Sequence, residues 1–144
     1  MDVKICSRKE IQKLIHSKFP ENTAVISFFG EDEKPVYFPA NITHIRLNID
    51  DVLPSEVEDP ESYHMEDFRR VARFVFCCRK AGMNIVCQCE AGISRSAGTA
   101  AAIKEFFDQD GLSIFTDYRY IPNQVFYKNL YRCLKEEATE YKTK

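Results

Sequence analysis

The chain has 144 residues, a length typical of one domain, and 44% of them are hydrophobic, which is enough for a core without disulfide bonds. Its net charge of −2 gives no basic excess, so nucleic acid is not expected as a partner. The sequence shows neither a signal peptide nor a run long enough to span a bilayer. We therefore expect no membrane partner, a cytoplasmic location and six free cysteines.

The amino-terminal part is predicted to start with an edge strand followed by a helix. The strand-like run covers residues 3–7. Ser7 and Glu10 have the spacing of a capping box, which predicts a helix over residues 8–18. A nearly continuous apolar run at residues 23–29 then predicts a buried strand that ends at a glycine.

The rest of the chain continues the alternation of strands and helices. Residues 43–49 alternate between apolar and polar side chains and predict a strand with two different faces. An amphipathic pattern predicts a helix at 64–80, and the short apolar run at 84–89 predicts a central parallel strand. A further helix is predicted at 95–108, and a last helix, which Asn123 can cap, extends to about residue 140. The alternation indicates an α/β fold with a central, mostly parallel sheet flanked by helices.

The segment that joins the last strand to the next helix carries the clearest chemical signal. It contains a cysteine, a short loop with a glycine, an arginine and a serine. A loop at a helix amino terminus directs unpaired N–H groups into one concavity, and the helix dipole adds to the attraction for an anion. Arg95 can add a bidentate fork to two phosphate oxygens. The predicted phosphate-binding residues are Glu90, Ala91, Gly92, Ile93, Ser94 and Arg95.

Within this loop, Cys89 is the predicted nucleophile. A positive local field favours a thiolate, which is the reactive form of cysteine. Ser96 is expected to hydrogen-bond the sulfur when it leaves. The spacing Cys-x5-Arg alone is weak evidence, because about 0.4 such matches are expected by chance in a chain with six cysteines and nine arginines. The motif becomes significant because a predicted strand precedes it and a predicted helix follows it.

The segment at residues 86–97 resembles the phosphate-binding signature of the dual-specificity branch of the protein tyrosine phosphatase superfamily. The resemblance extends over roughly residues 23–135. It implies a sheet flanked by helices, a cysteinyl-phosphate intermediate, and neither a metal nor a cofactor. One position departs from the family pattern, because Gln88 stands where the family usually has the histidine that helps to set loop geometry and thiolate reactivity.

A general acid is expected on the loop after the strand at 43–49. In the family this acid is an aspartate, and the alternation of the strand assigns it to Asp51, with Asp50 as the alternative and Asp59 as a third candidate. The separation between Asp51 and Cys89 is somewhat longer than usual in the family. Residues 54–63 are expected to hold the insertion.

The sequence therefore predicts one catalytic domain over residues 1–144. Its predicted function is a phosphatase for phosphotyrosine in protein substrates, with phosphoserine and phosphothreonine as further candidates. A phospho-binding module with an intact loop but little turnover is the alternative that Gln88 leaves open. A rhodanese-like or arsenate-reductase-like thiol enzyme is a third. Tyr118 and Tyr120 are weaker candidates for substrate contact.

Overall fold

The computed structural model describes residues 1–143, with side chains described as far as residue 140. This part of the chain contains four strands and five helices. The strands are β1 (Val3–Cys6), β2 (Thr23–Phe29), β3 (His44–Asn48) and β4 (Asn84–Gln88). The helices are α1 (Arg8–His16), α2 (Met65–Lys80), α3 (Arg95–Asp108), α4 (Leu112–Phe115) and α5 (Gln124–Thr143). Short 3₁₀ turns at Pro54–Glu56 and Pro60–Ser62 precede α2.

The four strands form one sheet in the order β1-β4-β2-β3, and every pairing is parallel. The predicted α/β class is confirmed, and the sheet is parallel throughout its four strands. Because parallel strands end at the same edge, the loops that follow β2, β3 and β4 meet there. This edge brings together three segments that are distant in sequence and contain Glu33, Asp51 and Cys89.

Both faces of the sheet are covered. On one face, α2, α3 and α5 pack against the strands, with Phe126 of α5 in edge-to-face contact with Phe28 and Phe68 at 5.2 and 5.1 Å between ring centroids. On the other face, Ile11 of α1 packs with Val25 and its neighbours. Burial of both faces explains why β2 and β4 read as nearly continuous apolar runs.

Some boundaries differ from the predictions for local reasons. The capping box of α1 is present, since Ser7 Oγ accepts from the Glu10 N–H and Glu10 accepts from the Ser7 N–H. The helix ends at His16, where Ser17 donates to the Lys13 carbonyl. The one-turn helix α4 was not predicted. Within residues 1–143, no helix is both long and apolar enough to cross a membrane.

Candidate active site

The loop at residues 89–94 connects β4 to α3 and depends on a glycine at its centre. Gly92 has a positive φ of 69°. A Cβ at this position would lie 2.6 Å from the Ser7 nitrogen and 2.9 Å from the Cys6 carbonyl carbon, closer than any side chain tolerates. The sequence therefore needs glycine here both for the turn and for the close approach of β1.

Three backbone carbonyl groups of this loop accept hydrogen bonds from residues outside it. The carbonyl of Glu90 accepts from the Arg8 N–H, that of Ile93 from the Ile121 N–H, and that of Ser94 from the N–H groups of Gly98 and Asn123. Among the hydrogen bonds of residues 1–143, none has an N–H of residues 90–94 as its donor. A loop whose carbonyl groups are held outside and whose N–H groups are free has the polarity of an anion site.

Cys89 lies at the base of this loop and is only 2% exposed. Its Sγ is 3.1 Å from the Ser96 Oγ, within hydrogen-bond distance. Four other cysteines lie in surroundings that oppose ionisation. Burial raises the pKa of Cys6, Cys78 and Cys133 to about 11 and raises the pKa of Cys87 still further.

Arg95, the first residue of α3, is 5% exposed and holds a carboxylate that the sequence did not single out. Its two terminal nitrogens donate to the two carboxylate oxygens of Glu33, each at 2.8 Å, and one also donates to the Ile49 carbonyl at 3.1 Å. The remaining donor, Nε, is buried and has no partner. The guanidinium is thus fixed in orientation while two of its five N–H groups, the one on Nε and the second on Nη2, stay outside these bonds.

The electrostatics of this pair follow from its burial. Burial alone would lower the pKa of Arg95, but the hydrogen bonds and charge of Glu33 outweigh it, and the charges of Cys89 and Asp51 act in the same direction, so the pKa is raised. The hydrogen bond from Arg95 lowers the pKa of Glu33 below its ordinary value. Both groups are therefore charged at neutral pH.

Asp51 is connected to the loop from the other side. Its Oδ1 accepts from the Ser94 hydroxyl at 2.7 Å and from the Asn123 side-chain amide at 2.8 Å. Asn123, which was predicted to cap the last helix, also accepts from the Phe126 N–H and donates to the Val52 carbonyl. One amide therefore joins α5 to the loop that carries Asp51.

The other acidic candidates have different partners. Asp50 accepts from the Glu31 N–H at 2.8 Å and so anchors the segment that contains Glu33. Asp59 accepts from the Ser62 hydroxyl within its own 3₁₀ turn. Of the three candidates, Asp51 is the one hydrogen-bonded to residues 89–96.

Gln88 is buried and has a defined place beneath the loop. Its Oε1 accepts from the Ser27 hydroxyl, and its Nε2 donates to the Cys89 carbonyl at 3.0 Å.

The two tyrosine candidates differ from each other. Tyr118 is 95% exposed on a turn, whereas Tyr120 is half-buried against the core.

Comparison with known proteins shows which solved structures share the fold of this chain. No family model and no curated protein matches the sequence. Solved structures match over most of the chain. The PTP-2 phosphatase of Cydia pomonella is 18% identical with a TM-score of 0.63, and the match covers 92% of this chain and 85% of that one. Human DUSP28 is 13% identical, with a TM-score of 0.60 and coverage of 96% and 94%.

PTPMT1, solved in complex with PI(5)P, is 14% identical, with a TM-score of 0.59 and coverage of 97% and 94%. These likenesses show that the chain has the fold of the dual-specificity and tyrosine phosphatases. The resemblance drawn from the sequence is confirmed at the level of fold.

Proposed function

We propose that this chain, which has the dual-specificity phosphatase fold, is a cysteine-dependent phosphatase for phosphotyrosine in proteins. The observation that carries the proposal is the buried Arg95, whose Nε has no partner, beside a loop whose N–H groups are free. An unpaired buried donor on a fixed guanidinium is costly unless a ligand accepts its hydrogen bond. A phosphate dianion fits both the charge and the geometry.

In the first step, the Cys89 thiolate attacks phosphorus. A sulfur–phosphorus bond forms while the bond between phosphorus and the leaving oxygen breaks. Arg95 and the N–H groups of residues 90–95 hold the non-bridging oxygens, where negative charge is spread in the transition state. Asp51 donates a proton to the leaving oxygen, so that tyrosine departs as a neutral phenol.

In the second step, water hydrolyses the cysteinyl-phosphate. Asp51, now ionised, accepts a proton from the water as its oxygen bonds to phosphorus. The sulfur–phosphorus bond breaks, and Ser96 stabilises the departing sulfur by a hydrogen bond, consistent with the 3.1 Å separation of the two atoms. Inorganic phosphate leaves and the thiolate is regenerated.

The surroundings of the loop favour an aromatic phosphomonoester. Cys89 is deeply buried, so a substrate must extend its phosphoryl group well below the surface. Within the loop, position 90 is acidic and position 93 is apolar, which lowers the attraction for ligands with several phosphates. Phosphotyrosine is the longest of the phosphorylated protein side chains considered and is therefore the preferred substrate.

The proposal is tested with p-nitrophenyl phosphate. The wild type is expected to release p-nitrophenol, and Cys89→Ser is expected to abolish the release while still binding phosphate. Cys87→Ala is the matched control, because it removes the neighbouring thiol on the same strand and should retain most of the activity. Greater activity on arsenate or thiosulfate than on the aryl phosphate would contradict the proposal.

Gln88 bears on the alternative function, a phospho-binding module. Its hydrogen bonds to Ser27 and to the Cys89 carbonyl support the loop without a charged imidazole. This support maintains a loop geometry that both turnover and binding require. The binding module would be the better interpretation if the folded wild type bound phosphate but released no p-nitrophenol.

A further inference from the structure

Exposed apolar side chains stand on the phosphate loop and on two segments beside it. Leu53, Ile93 and Ile121, which we call the apolar rim, are 63%, 40% and 74% exposed. They come from three segments, yet hydrogen bonds hold these segments together. The Ile121 N–H donates to the Ile93 carbonyl, and Asn123 donates to Val52, next to Leu53. Hydrogen bonds therefore hold the three segments that carry the rim residues next to one another.

The charges beside the rim are unsuited to a polyanion. Arg8 lies 4.0 Å from Glu90, Arg95 is held by Glu33, and Arg119 is paired with Asp117 at 2.7 Å. The loop that follows Leu53 adds four carboxylates, namely Glu56, Glu58, Asp59 and Glu61, against two cations of α5, Lys128 and Arg132, which line the same cavity as Asp59 and Glu61. A ligand with a second phosphate, or with acidic groups next to the first one, would meet negative charge here.

Resting on the phosphatase function above, we propose that the apolar rim binds apolar side chains next to phosphotyrosine in a protein substrate. The occupant follows from chain continuity. When the phosphoryl group reaches the buried Cys89, the residues joined to that tyrosine must cross the rim. Apolar neighbours then bury the exposed surfaces of Leu53 and Ile121, whereas acidic neighbours lose solvation and face the carboxylates.

The test uses three phosphotyrosine peptides of equal length whose flanking residues are leucine and isoleucine, serine, or aspartate and glutamate. For the wild type, kcat/KM is expected to be about tenfold higher for the apolar peptide than for the acidic one. Affinities of the three peptides for Cys89→Ser provide a second readout that does not require turnover. Vesicles containing PI(5)P provide the competing substrate class.

Two leucines make a matched pair of variants. Leu53→Ser is expected to reduce the ratio of apolar to acidic kcat/KM by about threefold. Leu112→Ser removes a leucine that is similarly exposed, at 69%, on α4, and should leave the ratio unchanged. Leu53→Lys is expected to shift the preference towards the acidic peptide.

The outcomes separate the two proposals. Turnover of p-nitrophenyl phosphate with equal use of the three peptides would overturn the rim and leave the phosphatase function in place. Faster hydrolysis of PI(5)P vesicles than of the apolar peptide would overturn the rim and the protein substrate, and would leave only the cysteine-dependent hydrolysis in place. Selective binding by Cys89→Ser without any wild-type turnover would support the rim and contradict the hydrolysis. Absence of both binding and turnover would overturn both proposals.

Discussion

The loop at residues 89–94 and the start of α3 are held from two sides by different kinds of contact. On one side, Arg95 is bound by the carboxylate of Glu33 in a largely buried ion pair. On the other side, Asp51 is held by the hydroxyl of Ser94 and the neutral amide of Asn123. The charged side fixes a group that must keep its charge to bind an anion. The neutral side fixes a carboxyl group that must gain and lose a proton during the proposed reaction.

This difference has a physical reason. The hydroxyl of Ser94 and the amide of Asn123 are neutral donors, so they orient the Asp51 carboxyl group without forming an ion pair with it. A carboxylate beside Arg95 stabilises the guanidinium in a buried position where its charge alone would be costly. The comparison predicts that variants on the charged side alter binding and stability, whereas those on the neutral side alter proton transfer.

The largest effect is expected for Arg95→Lys. A lysine cannot supply the same bidentate fork, so turnover of aryl phosphate should fall by about 10²–10³-fold and inhibition by phosphate should weaken. Arg119→Lys is the matched control, because Arg119 is also paired with a carboxylate, that of Asp117, but is exposed. Steady-state kinetics with both variants checks this. Comparable losses in the two variants would contradict a special role for Arg95.

The next effect concerns proton transfer. Asp51→Asn should lower kcat by about 10²-fold on a substrate with a poor leaving group, and the decline of rate at high pH should disappear. Asp50→Asn is the control, since Asp50 bonds to the Glu31 backbone and not to the loop. The pH–rate profiles of the wild type and both variants give the measurement. Equal and small effects in the two variants would remove the assignment to Asp51.

A third effect is on stability. Glu33→Gln leaves the buried guanidinium without its counter-charge, and we expect the free energy of unfolding at pH 7 to fall by about 2 kcal/mol. Because the folded-state pKa of Glu33 is lowered, its stabilisation is present above the ordinary value of 4.5 and is lost as the pH falls through the folded-state pKa. The difference between wild type and variant should therefore shrink in acid.

Denaturant unfolding of both proteins at pH 7 and at several acidic pH values measures this effect. Glu31→Gln, in the same segment but exposed, is the control and should differ little from the wild type at any pH. A wild-type advantage that stays constant down to pH 3 would show that the ion pair is not its source.

The sequence predicts the loop better than it predicts the loop's supports, and the reason is the range of the contacts. Gly92, Ser94, Arg95 and Ser96 lie within eight residues of Cys89, so one local motif reveals them together. Glu33 stands in a charged turn, 62 residues from Arg95, and nothing local distinguishes it from its acidic neighbours. The periodic strands and helices were predicted for the same reason as the loop.

The prediction for Asn123 was correct for its local contact and missed its long-range one. Its role as a helix cap follows from local spacing and is confirmed by the bond from the Phe126 N–H. Its bond to Asp51 spans 72 residues and depends on how α5 packs beside the loop. The helix α4 was missed because it is a single turn without a periodic pattern.

The smallest expected effect separates these two roles of Asn123. Serine is also a good cap, so Asn123→Ser should keep α5 capped and change stability by less than about 1 kcal/mol. It removes the amide that donates to Asp51 and Val52, so kcat should fall by up to about tenfold while KM changes little. Kinetics and denaturant unfolding of the same variant measure both. If stability and kcat fell together, as expected for Asn123→Ala, the amide would be acting through the helix and not through Asp51. A selective loss of kcat would instead show that the neutral side of the loop positions the proton donor.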